Sequence, residues 1–484
     1  MFTINQKAKK SLIALMAVGL IAVFFGFISI TKDAKEEAFR IAKTEVLALT
    51  IEDLGDVDDE ILKEFQITNR ENVESIFHKI EKELHFEFTS SEIDSSFCLN
   101  DIIEASSNHI NQSFFSRLWP SLLFNNYFFL GIAVFAVFFV ALQYVAEAGW
   151  SVVLKRVPEA IMGALPVFSL IMLLIIIAAI MHWNHIYHWL HEGIMDPASD
   201  HYEKIIAGKE AWLNPIFFII RTVIYLLVWN YFAKRLRALS VLEDKQGGTA
   251  IHFKGVRASA WFMVFFAVTS AMASWDWIMS IDPHWFSTIF GWYVFAEWST
   301  IGFTAVLLVT LYLKRKGYLQ DVNENHIHDL GKWVFAFSLV WTYIWFSQFM
   351  LIWYPNIPEE GAYYVARLQD YDNGVANNYK FLFWFSMIIN FITPLILLIS
   401  RPAKRNNGIL IFVSCIILLG HWLNSYLLVT PGALGINGYI GATEIGVGLF
   451  FAGLFIYLVL NSLTKQPLET KNHPFLDESK NLHT

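Results

Sequence analysis

Ten stretches of about twenty mostly apolar residues recur along this chain, at roughly 11–30, 124–146, 158–182, 213–233, 259–281, 287–313, 333–353, 381–400, 408–429 and 438–462. No other feature constrains the fold as strongly. A hydrocarbon layer about 30 Å thick is crossed by about twenty helical residues, because only a helix or a closed barrel satisfies its own backbone polar groups there. The runs are continuous in Leu, Ile, Phe and Trp and lack the in-out alternation of a barrel strand, which excludes a porin. With 55% apolar and 16% charged residues, the chain also lies outside the balance of a soluble domain. The expected fold is an all-α polytopic membrane protein of about ten transmembrane helices.

Basic residues in short connections stay on the cytoplasmic side during insertion and so give a direction. They cluster at Lys7, Lys9 and Lys10, at Lys155 and Arg156, at Lys234, Arg235 and Arg237, at Lys314, Arg315 and Lys316, at Arg401, Lys404 and Arg405, and in the tail. These are every second connection, so both termini are expected in the cytoplasm. The first run, Ser11 to Ile30, is too long for a signal-peptide core and reads as a retained helix.

The chain divides accordingly into a first transmembrane helix (1–30), an extracytoplasmic insertion (31–116), a nine-helix region (117–464) and a cytoplasmic tail (465–484). Residues 31–116 hold 20 of the 43 acidic residues but 8 of the 35 basic ones, a net of −12 that leaves the rest at +4. Their pattern, with Ile51, Leu54, Ile61, Leu62 and Phe65 spaced between acids, predicts a small helical outer domain, either a spacer or a docking surface. Cys98 and Cys415 are separated by membrane depth and do not pair. No haem-attachment motif or cysteine cluster for iron and sulfur is present, so such centres are expected on partner chains. No nucleic-acid partner is expected; membrane lipid is.

An ionisable residue inside a span is costly and is a functional candidate by default. Arg221, Asp276, His421 and Glu444 fall at similar depths from the outward ends of their runs, roughly 8–12 Å at 1.5 Å per residue, and would suit quinol docking or a proton relay. Helix-to-helix ion pairing is the plainer alternative. Glu297, near the middle of the sixth run, suits proton transfer, although a neutral hydrogen-bonded Glu would give the same sequence. Glu147 lies on the cytoplasmic border, with Glu159, Asn323, Glu324, His326, His328 and Asp329. No catalytic residue is assigned. The third run ends in His182, His185, His188 and His191, three residues apart and so near one helical face. An interfacial polar belt, quinol contact or proton release are the readings of this group. Glu192 and Asp196 are nearby, but no HExxH-like spacing appears and no metal is assigned. A haem b between helices would need two deep histidines, for which only His421 and His182 qualify.

The stretches LLFNNYFFL (122–130), QYVAEAGWSVVLKRVPEA (143–160), LNPIFFIIRTVIY (213–225), ASWDWIMSIDPHWFSTIFGWYVF (273–295) and NENHIHDLGKWVFAFSLVWTYIWFSQFMLIWYPNIPEE (323–360) make a distinctive combination. Together they resemble the ActF-type, quinone-binding-type membrane subunit of alternative complex III, a bacterial quinol:cytochrome c oxidoreductase, over about 117–405. The resemblance implies a fold like the NrfD or polysulfide-reductase membrane subunit, with helices 2–5 and 6–9 as two four-helix bundles flanked by helices 1 and 10. It implies a sister subunit of the same fold, an iron-sulfur subunit and multi-haem cytochrome c subunits. The haem c and iron-sulfur centres would then sit on those partners, with menaquinol or another quinol as substrate and no covalently bound cofactor here. Asp276, Asp282, His284, Glu147, Asp329 and Gln348 lie in the matching stretches; Glu297 and Glu444 do not. Quinol-contact candidates are thus His182, His185, Asp276, Asp282 and His284, and proton-transfer candidates Glu147, Arg221, Asp276, Glu297, His421 and Glu444. The competing readings are a proton-coupled secondary transporter, for which Pro166 and Pro394 are unpaired interruptions, and a purely structural anchor.

Overall fold

A computed structural model describes residues 2–50, 76, 99–199, 201–370, 376–435 and 438–483, without side-chain detail for 30–50, 99–113 and 359. The outer-domain expectation falls largely on 51–98, which, with Cys98, lies outside the described residues apart from Ile76.

All ten expected spans are helices: α1 (Gln6–Ser29), α2 (Phe114–Val145), α3 (Val152–Ile180), α4 (Pro215–Gln246), α5 (Thr249–Ile281), α6 (Phe290–Arg315), α7 (Glu324–Trp353), α8 (Asn378–Leu398), α9 (Asn407–Leu434) and α10 (Ala442–Leu463). Each is long and apolar enough to cross a membrane, and the described residues contain no strand. The protein is a multi-pass, all-α membrane protein. Helical structure runs on from α1 to Thr50 and resumes at Leu99 ahead of α2.

The chain forms two compact units. One comprises 1–18, 120–438 and 448–484, the other 19–119 and 439–447. In the first, α3, α4 and α5 pack in sequence, α5 continues onto α6, and α6 packs against α7 and α9. Helices α2 and α6 are the most enclosed, each with 83% of its apolar window inside the protein. Glycine permits that enclosure. A Cβ on Gly302 would lie 1.9 Å from Phe135 Cδ1, and one on Gly131 would lie 2.3 Å from Trp298 Cδ1. The two helices therefore fit aromatic rings of one into notches of the other, the small-residue packing that substitutes for a hydrophobic drive in lipid.

Two helices are interrupted where proline removes a backbone donor. In α3 a 3-10 turn at Met162–Ala164 precedes the segment Leu165–Ile180, whose first turn holds Pro166. In α8 a π-turn at Ile388–Ile392 precedes Thr393–Leu398, whose first turn holds Pro394. In the second unit, Glu444 sits in the first turn of α10. Its Oε1 accepts from Arg117 Nη2 at 2.8 Å, its Oε2 accepts from the Gly441 N–H at 2.8 Å, and the Arg117 guanidinium covers the Tyr439 ring.

Candidate functional site

Arg221 lies six residues into α4 and Asp276 five residues before the end of α5, so both stand roughly 8–9 Å inside their helices. They meet in a bidentate pair: Nε donates to Oδ2 at 2.8 Å and Nη2 to Oδ1 at 2.7 Å. Asp276 also accepts from the Tyr225 hydroxyl at 3.0 Å and the Trp212 indole N–H at 3.0 Å, which occupies both carboxylate oxygens twice. Both partners are buried, Asp276 completely. Trp212 and Phe217 stack on the guanidinium, so the charge is enclosed by aromatic faces as well as paired.

Beside this pair opens a cleft of about 370 Å³ lined by Trp212, Trp275, Trp285, Phe286, Lys209 and Ser280, among others. Trp212 is its shared wall: one face lines the cleft while the indole N–H holds Asp276. The buried Trp275 and Trp285 indole nitrogens have no hydrogen-bond partner within the protein. Lys209 donates to the Pro283 carbonyl at 2.5 Å, and partial burial lowers its pKa below the ordinary lysine value. An apolar, aromatic recess with few polar groups is the usual form of a small-molecule site.

Glu297 is the centre of a second buried set. The sixth run becomes helical only at Phe290, so this residue lies about two turns from the start of α6 rather than at its middle. Its carboxyl accepts from Tyr127 Oη at 3.0 Å, Asn424 Nδ2 at 3.0 Å and Ser425 Oγ at 3.1 Å. His421 Nδ1 stands 3.9 Å from Oε1, and neither of its ring nitrogens has a hydrogen-bond partner. From Glu297 polar groups continue toward the connection between α5 and α6. Tyr293 donates to Asn424 Oδ1 at 2.6 Å, and a cavity of about 10 Å³ between Tyr293, Asn424, Gln348, Tyr363 and Arg367 is close to the minimum for one water. Arg367 closes the route, stacked on Tyr363 and 3.4 Å from Asp282 Oδ2.

The four groups read at one depth are therefore divided. Arg221 and Asp276 pair, Glu444 pairs with Arg117, and His421 joins Glu297. His421 left the common depth because α9 runs on to Leu434, which puts it about 20 Å from that end. Between Asp276 and Glu297 stands an aromatic block: Trp229 packs edge-on against both Trp277 and Trp298, the residues that follow the two carboxyls.

The histidine group does not share a helical face. Helix α3 ends at Ile180, with the N–H of Trp183 bonded to Ala178 O and that of His182 to Ala179 O, a Schellman stop with His182 at φ 56°. His182, His185, His188 and His191 instead line, with His201 and Glu203, an open cavity of about 610 Å³ in the connection to α4. His191 is held below the ordinary imidazole pKa by partial burial and by the neighbouring histidines. Since His182 is exposed and outside a helix, it gives His421 no facing partner for a haem. His284 lies outside the aromatic cleft's lining and pairs with Glu203.

Glu147 is exposed. It occupies the same left-handed stop position after α2, at φ 47°, with the Ala148 N–H on Gln143 O. His326 caps α7 with Asn323, and Glu159 pairs with Arg156.

A buried cluster escaped the sequence reading. Glu243 Oε2 accepts from Lys155 Nζ at 2.8 Å and from the Tyr144 hydroxyl at 3.1 Å, while Oε1 stands 3.2 Å from His252 Nδ1 and 3.9 Å from His473 Nε2. Arg156 bonds Glu159 and Asp244 next to it. The only hint was a pair of acids, Glu243 and Asp244, at the end of a span whose other charges are basic. Glu243, His252 and His473 are the one group of three metal-ligand types that already converge among the described residues. The Lys155 ammonium on the same carboxylate, and the Phe475 N–H on His473 Nδ1 at 3.2 Å, make it an ion-pair hub rather than a cation site.

The fold and these sites define a polytopic membrane protein with several buried carboxyls, at Asp276, Glu297, Glu243 and Glu444, and an aromatic cleft beside the first. No protein-family model matches the chain, and no curated protein matches it in sequence.

Proposed function

We propose that this chain is a membrane subunit of a bacterial respiratory quinol:cytochrome c oxidoreductase of the alternative complex III type, set in the inner membrane with both termini in the cytoplasm. The aromatic cleft backed by the Arg221–Asp276 pair carries this reading. Its volume, about 370 Å³, suits an aromatic headgroup. It lies in the connections that precede α4 and follow α5, which the basic residues of the alternate connections assign to the outward side.

Each residue then has a task. Trp275, Trp285 and Phe286 hold the quinol ring, and Lys209 meets a ring oxygen. Asp276, paired with Arg221, polarises the pocket through the Trp212 hydrogen bond. Glu297, with Tyr127, Asn424 and Ser425, is a separate carboxyl that takes up or yields a proton toward Tyr293 and Asp282. Electrons pass to the haem c and iron-sulfur groups of partner subunits, beside a sister membrane subunit of the same kind.

A secondary transporter would require interruptions at corresponding places of the two halves. The breaks at Met162–Ala164 and Ile388–Ile392 fall in α3 and α8, the second and third helices of the sets 2–5 and 6–9. Isolation through a tag on this chain in mild detergent is expected to bring haem c absorbance and iron-sulfur signals with it. A chain that purifies alone, without either signal, contradicts the proposal.

A further inference from the structure

We infer that the loop between α3 and α4 is a binding site for a borderline transition-metal dication of the Zn²⁺ class, held by His185, His188 and His191 and oriented by Glu203. The residues come to line one cavity because α3 stops early. The Schellman stop at His182 places a non-glycine residue in the left-handed region, a strain of about 1 kcal/mol that native structures keep where the position is otherwise fixed. Beyond it the chain turns back through the 3-10 turn His188–Leu190, and the histidines line one open cavity instead of a helix face.

The ring spacing fits an ion. With Zn–N near 2 Å, two imidazoles on a tetrahedral ion hold their ring centres about 5 Å apart. His191 stands 5.4 Å from His185 and 5.2 Å from His188, centre to centre. All three side chains are exposed, so rotation about χ1 and χ2 turns their nitrogens inward without moving the backbone.

A supporting carboxylate is already placed. Glu203 Oε1 stands 3.0 Å from His188 Nε2, and its Oε2 stands 2.8 Å from His284 Nε2. A ligand histidine characteristically donates its second ring N–H to such a carboxylate, which fixes the tautomer and leaves the other nitrogen for the metal. Here that assignment leaves His188 Nδ1 free. Imidazole donors in this number suit Zn²⁺, Cu²⁺ or Ni²⁺ rather than Mg²⁺ or Ca²⁺.

The test uses full-length protein without a histidine tag, stripped with chelator in detergent and titrated with Co²⁺. One equivalent should bind with the visible absorption of a tetrahedral nitrogen-rich site, and Zn²⁺ should displace it. The double variant His188→Gln/His191→Gln, on exposed positions whose unchanged melting temperature verifies the fold, should lose that equivalent. Glu203→Gln should weaken binding 10–100-fold, whereas Glu243→Gln should leave it unchanged. Absence of a stoichiometric Co²⁺ band in the wild type, or its survival in the double variant, would overturn the assignment.

Discussion

Asp276 shows how far a single residue could be read and where the reading needed the fold. A carboxylate and an arginine at comparable depth on adjoining spans are legible as candidates, since each is too costly to bury unpaired. That they pair with each other, while Glu444 takes Arg117, depends on helix neighbours that spacing does not encode. Burial makes the consequence large. Removing Arg221 leaves an uncompensated buried anion, so Arg221→Ala is expected to destabilise the protein by about 3–5 kcal/mol. Replacing both, as in Arg221→Met/Asp276→Leu, should recover most of that loss, because the desolvation of two charges is relieved together. Thermal unfolding in detergent compares the two; equal melting of single and double variants would show that the pair is not the source. The Lys155–Glu243 hub was illegible for the opposite reason: charges at span ends read as ordinary topogenic flanks.

Elements were legible in number and less so at their ends. The ten apolar runs each became a helix, yet α3 stopped before the histidines and α9 ran past its expected end. Where glycine marks a stop, as at Gly317 after α6, with the Tyr318 N–H on Leu313 O, the end can be read. Glu147 and His182 make the same stop without glycine, so no signal announced it. The C-terminal segment has a similar hidden attachment. Ser479 bonds Val153 N and Trp150 O, and His326 Nε2 lies 3.0 Å from Ser479 O. His473 completes the docking among Glu243, Lys155, His252 and Tyr144. Burial, then the Lys155 charge, lowers its imidazole from 6.5 to about 4. Between those values the released segment binds a proton that the docked one refuses, so this contribution to docking is fully present above about pH 6.5 and weakens as pH falls toward 4. Protection factors at 470–482, the intrinsic exchange rate at each pH divided by the observed rate, should fall as pH drops from 6.5 toward 4, and His473→Gln should flatten that change. Protection factors in the native chain that stay constant over this range would contradict the attachment.

At the scale of the whole molecule, solvent decided what could be read. Hydrocarbon demands continuous helices, so topology is written in composition, whereas the cleft arises from two connections that meet only in the folded protein. The acids concentrated in residues 31–116 mark a region distinct from the spans. Trp229, packed against Trp277 and Trp298, separates the Asp276 carboxyl beside the cleft from the Glu297 carboxyl, and the proposed function gives the two different duties. The most direct measurement is quinol-dependent cytochrome c reduction by the complex isolated through this chain, compared with its Asp276→Asn form. The native complex is expected to turn over and the variant to fall at least about tenfold, the scale of a lost charged hydrogen-bonding group. A variant complex that assembles with its haem and keeps the full rate would contradict the account and leave the chain a structural anchor.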